Sequence, residues 1–196
     1  MAPLALPVTA AILVGGKSRR MGTDKALLEV EGVALARRVA DVAAPLCERV
    51  LICGSREDLG GLGYEVIPDL NEGAGPLAGL QAALVAAETD WVLLLACDLP
   101  GFDSGLLEAL LDRLGEAEAT GADAIAARSE RGPEPLIALY HRRVAGEVSD
   151  RLERGERAAH RLLQSLTVLW QEVGDDRSVA NLNSPEDLEQ WLKAES

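Results

Sequence analysis

Short apolar runs that stop at glycine or proline alternate along this chain with stretches in which apolar residues recur at helical spacing. Val8–Val14 is such a run, halted by Gly15-Gly16, and reads as a buried strand entering a loop. Val33–Leu46 has apolar residues at helical spacing, with Arg37, Arg38 and Asp41 on the other side, which predicts an amphipathic helix. Val50–Cys53, ended by Gly54, and Tyr64–Ile67, ended by Pro68-Asp69, predict two more strands. Pro76 opens an alanine-rich helix that runs to about Glu88, since proline suits a first helical turn. Trp91–Ala96 is the most apolar strand and is expected at the centre of the sheet. Asp103 or Ser104 can cap a helix reaching about Glu118. Beyond it, Asp123–Ala127, Leu136–Tyr140 and Thr167–Trp170 predict strands, and Arg142–Arg154 and Arg157–Leu166 predict helices. Ser184-Pro-Glu-Asp187 has the cap, proline and first-turn acids that start a last helix.

Strands separated by helices of this length imply parallel pairing through crossovers, with helices on both faces. The expected architecture is one α/β domain over residues 1–196, a Rossmann-like three-layer arrangement around a mostly parallel sheet. No internal repeat or low-complexity linker divides it. At 196 residues the chain is long enough to bury one core. Aromatic residues make up only 3%, so Ala, Leu and Val must fill that core.

The apolar runs fall far short of the roughly 20 residues of a membrane span. Met1–Pro7 has neither a basic stretch nor a clear cleavage site, so no signal peptide is read and a cytoplasmic location is expected. Cys47, Cys53 and Cys97 lack metal-ligand spacing and are odd in number, which predicts small buried thiols in a reducing compartment. His141 and His160 fall on helix candidates, without a Ser or Cys motif nearby, and read as ordinary surface or partly buried residues. The formal charge of −13 opposes nucleic-acid binding, which depends on Lys and Arg neutralising phosphates.

Against that acidic background the segment Leu13-Val-Gly-Gly-Lys-Ser-Arg-Arg-Met-Gly-Thr-Asp-Lys25 stands apart. Its glycines, Gly15, Gly16 and Gly22, let the backbone turn sharply and present N–H groups to a phosphate. Lys17, Arg19, Arg20 and Lys25 set four cations against one acid, Asp24, a balance that suits a triphosphate. A Walker A loop would need glycine where Ala11 stands, and no frame supplies the dinucleotide fingerprint. The plainer reading is a solvated basic loop with turn glycines.

Asp98, in Ala96-Cys-Asp-Leu-Pro100, ends the most apolar strand, where ligands of open α/β sheets bind. A carboxylate there is either a Mg²⁺ ligand beside phosphates or the cap of the following turn. Asp69 ends another strand with the same two readings. Gly73–Gly79 leads into a helix N-terminus, either an anion site or a plain helix start. Asn181 and Asn183, two apart in an extended segment, point to one side and offer donors and acceptors to a heterocycle, a phosphate or a metal.

Taken together, these segments resemble the molybdenum cofactor guanylyltransferase family over essentially the whole chain. Leu13–Leu27 is similar to its opening motif. Gly75-Pro-Leu-Ala-Gly79, Ala96-Cys-Asp-Leu-Pro100, Glu134-Pro-Leu136, Gly155-Glu-Arg157 and Asn181-Leu-Asn-Ser-Pro-Glu-Asp187 follow in the family's order. The opening motif alone is shared with cytidylyltransferases and sugar-nucleotide enzymes. The resemblance implies the nucleotidyltransferase fold and transfer of GMP from GTP to Mo-molybdopterin with release of pyrophosphate. Mg²⁺ is the implied cofactor, held by Asp98.

By matching motif, Leu13, Val14, Gly15, Gly16, Lys25, Asp69 and Asp98 would contact the nucleotide, and Gly79, Arg157, Asn181 and Asn183 the acceptor. Arg19, Lys25 and Asp98 would carry the chemistry. The N-terminal half would thus bind the NTP and the C-terminal half the acceptor. Protein partners would be molybdoenzymes or other cofactor-biosynthesis proteins. This sequence departs from the family in having Val14 for the usual Ala, and Cys53 where an Asn contacting the nucleotide is expected. The rival expectations are a molybdopterin cytidylyltransferase, a sugar-phosphate nucleotidyltransferase, and a non-enzymatic GTP- or pterin-binding carrier.

Overall fold

The computed structural model describes residues 5–14, 25–55, 57–70, 74–174, 176–182, 187 and 191. The chain begins with strand β1 (Leu6–Leu13), a small ribbon of β2 (Glu29–Val30) and β3 (Val33–Ala34), and helix α1 (Leu35–Ala43). Strand β4 (Cys47–Cys53), strand β5 (Glu65–Ile67), helix α2 (Pro76–Ala86) and strand β6 (Trp91–Ala96) follow. Next come helices α3 (Ser104–Leu111) and α4 (Leu114–Thr120), then strands β7 (Ala124–Ser129) and β8 (Gly132–His141). Helices α5 (Ala145–Glu153) and α6 (Ala159–Leu163) and strand β9 (Val168–Glu172) complete the main layers.

The seven-stranded sheet has the order β5-β4-β1-β6-β8-β7-β9. All six residues of β6 are buried and β6 is the central strand, as its composition predicts. Alternate residues of each strand enter opposite layers. Ile12, Ile52 and Leu95 pack with α1 and α3, while Ala11, Leu51 and Leu94 pack with α2 and α6. Period-two alternation between two apolar helix layers makes the three-layer α/β arrangement. Pro76 does open α2, and Asp103 caps α3 by accepting from Leu106 N at 3.0 Å.

Three features differ from the sequence expectation, and one gives it detail. The helix expected over Val33–Leu46 starts at Leu35, because Val33 pairs with Val30 in the ribbon. The single helix expected from Asp103 to Glu118 is two, α3 and α4. At the break, the Arg113 guanidinium reaches the Trp170 carbonyl of β9 and Glu116. The sheet is mostly parallel, but β8 runs against its neighbours, since the two residues between β7 and β8 can close only a hairpin. His141 ends β8 rather than lying on a helix. Its Nδ1 accepts from Arg143 N at 3.1 Å and so caps the next turn.

Candidate functional site

The register places Leu13, Cys53 and Ala96, the last residues of β1, β4 and β6, in one row, with Ile67 of β5 paired to Cys53. The carboxyl ends of four parallel strands therefore share one edge. Val14, Gly54, Asp69 and Asp98 all follow within two residues of that row. This is the crevice in which open α/β sheets bind ligands. Val14 N donates to Cys53 O at 3.0 Å, Gly54 N to Ile67 O at 2.9 Å, and Asp69 N to Ser55 Oγ at 3.2 Å. Each loop along the rim is fixed to its neighbour. A Cβ on Gly54 would lie 2.6 Å from the Val14 carbonyl and 2.7 Å from Val14 Cγ2, so the loops touch through a missing side chain.

Asp98 is half-buried, and its main-chain carbonyl accepts from Leu182 N at 3.0 Å. Leu182 is itself buried against Val30 and Leu35. Farther along the same loop, a Cβ on Gly101 would lie 2.5 Å from the Arg177 carbonyl. The segment 176–182 therefore lies as a strap over residues 98–101. It carries Asn181 to the central strand end although 83 positions separate Asn181 from Asp98.

The side of the rim toward β8 is open. The β7–β8 register shifts between Ala126 and Ala127, whose partners are Ala138 and Glu134, so Pro135, Leu136 and Ile137 bulge on the β7 side, while Ile137 still pairs with Leu95 of β6. The buried Tyr140 hydroxyl donates to Pro135 O at 2.8 Å, and the Ser129 hydroxyl donates to Glu134 Oε1 at 2.7 Å. A cleft of about 210 Å³ lies between this bulge and β6, lined by Ala96, Leu99, Glu134, Pro135, Leu136, Ile137 and Asn181. Neither the bulge nor its clamps were read from the sequence. The signal was Pro135 within a strand, because proline in a sheet marks an edge or a bulge.

A second cleft, about 620 Å³, opens between α2 and α5, with Leu70, Ala74, Gln81, Ser149 and Arg157 among its lining. Arg157 is exposed, and its carbonyl would lie 3.3 Å from a Cβ on Gly75, whose φ of +76° also favours glycine. Arg157 and Asn181, grouped together by sequence, thus line different clefts, and Arg157 borders the loop that leads into α2.

Gly79 is buried, with Leu13 Cδ2 2.5 Å from where its Cβ would be. Its lack of a side chain has a packing reason, the seating of α2 on β1. Leu13 is correspondingly buried, and only its backbone reaches the rim. Cys53 is buried among Leu13, Leu51 and Leu77, and burial, with the negative field of Asp69, pushes its thiol up to about 12. At this position the chain presents a buried neutral thiol, with no amide to meet a nucleotide. Cys47 and Cys97 are likewise buried thiols outside any disulfide, as expected. Gly15, Gly16, Lys17, Arg19, Arg20 and Asn183 lie outside the described residues. For Lys25 only the backbone, which opens a short 3-10 turn, is described.

Among the described residues no helix is long and apolar enough to cross a membrane. Comparison with known proteins agrees with the geometry. The MobA-like NTP transferase domain matches residues 10–171. A probable molybdenum cofactor guanylyltransferase of Deinococcus radiodurans is 39% identical over 185 residues, 93% of each chain. One of Synechococcus elongatus is 37% identical over 188 residues, covering 91% of this chain and 94% of its own. The crystal structure of molybdopterin-guanine dinucleotide biosynthesis protein A from Archaeoglobus fulgidus superposes with a TM-score of 0.78 at 28% identity, over 96% of this chain and all of the other. With its strand-end crevice, its strap over Asp98 and these relatives, the chain belongs to the MobA-like NTP transferase family, a family of nucleotidyltransferases.

Proposed function

We propose that this chain transfers GMP from GTP to the terminal phosphate of molybdopterin, releasing pyrophosphate, as a step of molybdenum cofactor biosynthesis in the cytoplasm. The observation that supports the reading is the Leu182 N to Asp98 O bond, which brings the segment carrying Asn181 onto the loop that follows the central strand. An enzyme that joins two phosphorylated molecules needs two binding surfaces meeting at one charge-handling group, and a strap fixed to the Asp98 main chain is consistent with that need.

The residues fit a Mg²⁺ ion. Mg²⁺ keeps several waters and takes one or two carboxylates together with substrate phosphates, rather than a full protein cage. Asp98, half-buried at a strand end beside the open crevice, is a donor of that kind. When bound, the ion would neutralise charge on the α-phosphate and the departing pyrophosphate.

The acceptor phosphate is already an anion, so the protein's task is positioning and charge neutralisation rather than proton removal. Arg19 and Lys25 serve the phosphates of GTP, with the backbone N–H groups of Gly15 and Gly16 fixing them in line. Asp69 borders the nucleotide side. Arg157 gives the acceptor phosphate its own cation, and Asn181 and Asn183 hydrogen-bond the pterin. The test is pyrophosphate release by the purified protein with Mg²⁺ and molybdopterin, GTP being compared with CTP. Release dependent on GTP, Mg²⁺ and molybdopterin together supports the proposal. Equal use of CTP, or release that needs a sugar phosphate instead, overturns it.

A further inference from the structure

The cleft between β6 and the β8 bulge holds an acidic group that phosphate chemistry does not call for. Glu134 lines it, and an anion is a poor neighbour for a triphosphate or a phosphorylated acceptor unless it serves another part of the ligand. Its position is built. The Ser129 hydroxyl, itself buried, donates to Oε1 at 2.7 Å and also receives Arg131 N at 3.2 Å. Glu134 pairs with Ala127 at the edge of the three-residue bulge, and the buried Tyr140 hydroxyl holds the first residue of that bulge, Pro135. The other carboxylate oxygen, Oε2, has no hydrogen-bond partner among the described residues. Asn181 shares the lining of the cleft, and Ala96, Leu99, Leu136 and Ile137 supply its apolar part. The cleft is therefore lined mostly by apolar side chains, with one acceptor-only group and one amide, features that suit a heterocycle rather than a phosphate.

We propose that Glu134 reads the 2-amino-4-oxopyrimidine edge of the acceptor's pterin, accepting from its ring N–H and its exocyclic amino group. A carboxylate pairs with adjacent N–H donors of a heterocycle in the way that acidic side chains read amino groups of bases. The ring of GTP carries a similar edge. The cleft, however, lies on the β8 side of β6, and β1, β4 and β5, the proposed nucleotide side, lie on the other side of that strand. The inference rests on the proposed reaction and adds the group that selects its acceptor.

Two measurements separate the inference from the reading on which it rests. Fluorescence titration of the intact protein with 6-hydroxymethylpterin and with 6-hydroxymethyllumazine, which has an oxo group in place of the 2-amino group, tests recognition alone. The wild type should prefer the pterin at least tenfold, because the lumazine oxygen faces the carboxylate lone pair to lone pair. Glu134→Gln can still accept from Ser129, so it should fold normally, yet its preference should fall below threefold. In turnover, Glu134→Gln should raise the KM for molybdopterin at least tenfold, with the KM for GTP and the Mg²⁺ half-saturation unchanged within twofold. A pterin preference that survives the substitution overturns the inference even if GTP turnover is intact. A shift in Mg²⁺ half-saturation instead makes Glu134 a metal ligand, and a shift in the GTP KM alone makes it a guanine reader; either result overturns the inference. Preference lost as expected, in a protein that does not turn over GTP, upholds the inference and sinks the reaction.

Discussion

At Asp98 the fold and the chemistry use different atoms. The main-chain carbonyl holds the strap through Leu182, and the proposed metal role belongs to the side-chain carboxylate. Asp98→Ala keeps the carbonyl, so unfolding free energy should change by less than about 1 kcal/mol, as for substitutions outside the tightly packed core. Turnover should fall below a tenth of wild type, since each tenfold loss corresponds to about 1.4 kcal/mol of barrier. Pyrophosphate release and urea unfolding on the same preparation check both halves. Retained activity would remove Asp98 from the site, and a large loss of stability would make it structural.

Gly54 is the opposite case, a residue that matters through what it lacks. Gly54→Ala brings a Cβ to 2.6 Å from a fixed carbonyl and 2.7 Å from Val14 Cγ2, and overpacking of this kind typically costs about 1–3 kcal/mol. Val14→Ala removes the methyl but not the carbonyl, so the double variant should recover part of the loss and not all of it. A double-mutant cycle in urea measures that coupling, and strict additivity would mean that Val14 Cγ2 is not the obstacle. The valine that departs from the family pattern thus sits where the glycine leaves room for it.

Element types were legible wherever one local rule decided them. Proline in a first turn gave α2, Asp103 gave the start of α3, and unbroken apolarity gave β6 its central place. Elements decided by tertiary contacts were not legible. The break between α3 and α4 depends on Arg113 reaching a carbonyl 57 positions away, which no window of sequence contains. The β7–β8 hairpin was missed because Glu130-Arg131 lacks the Asn-Gly chemistry of common two-residue turns. The same holds at the site. Asp69, Asp98 and Gly75 stand at strand and helix ends that the sequence marks, whereas the Glu134 clamp depends on a shift in the β7–β8 register, which only strand pairing sets.

The turn after β8 carries its own prediction. Burial, and then the charge of Arg143, hold His141 below its ordinary value of 6.5, against the opposing pull of Asp90, Asp123 and Glu118. Its ring also stands edge-on to the buried Trp91 at 5.0 Å, and its Nδ1 accepts from Arg143 N and Nε, so protonation there breaks the cap. A histidine whose folded pKa is depressed contributes stability that is complete above the unfolded value and is lost as pH falls through the folded one. The melting temperature should therefore decline as pH drops from neutrality to about 5, the range in which histidine titrates. His141→Asn retains an acceptor for the cap without titrating, and its melting temperature should fall less over the same range. Parallel curves for the two proteins would assign the decline to carboxylates instead.

For the whole molecule the question is which field an incoming nucleotide meets. The chain carries −13 overall, yet Lys17, Arg19, Arg20 and Lys25 fall within nine positions of the sequence that follows β1. A net field of that sign repels GTP, and screening it with salt would speed association. A local cationic cluster attracts GTP, and screening would slow association. Range decides between them. The Debye length falls from about 30 Å at 0.01 M ionic strength to about 8 Å at 0.15 M, so at moderate salt only charges close to the phosphates still act. The surface acids are spread over the molecule, many of them in ion pairs such as Arg49–Glu65 and Arg151–Glu147, whose far fields largely cancel. The cluster should therefore win. For the wild type, kcat/KM for GTP should fall by about threefold or more between about 0.02 M and 0.2 M salt, with Mg²⁺ held constant. Replacing Lys17 and Arg20, which lie outside the residues assigned to the phosphates, with alanine should flatten that slope while leaving kcat within about twofold, because steering acts on encounter and not on the bound complex. Lys25→Ala should lower kcat as well. A wild-type rate that rises with salt would show that GTP responds to the acidic surface as a whole, and that the basic loop acts only after contact.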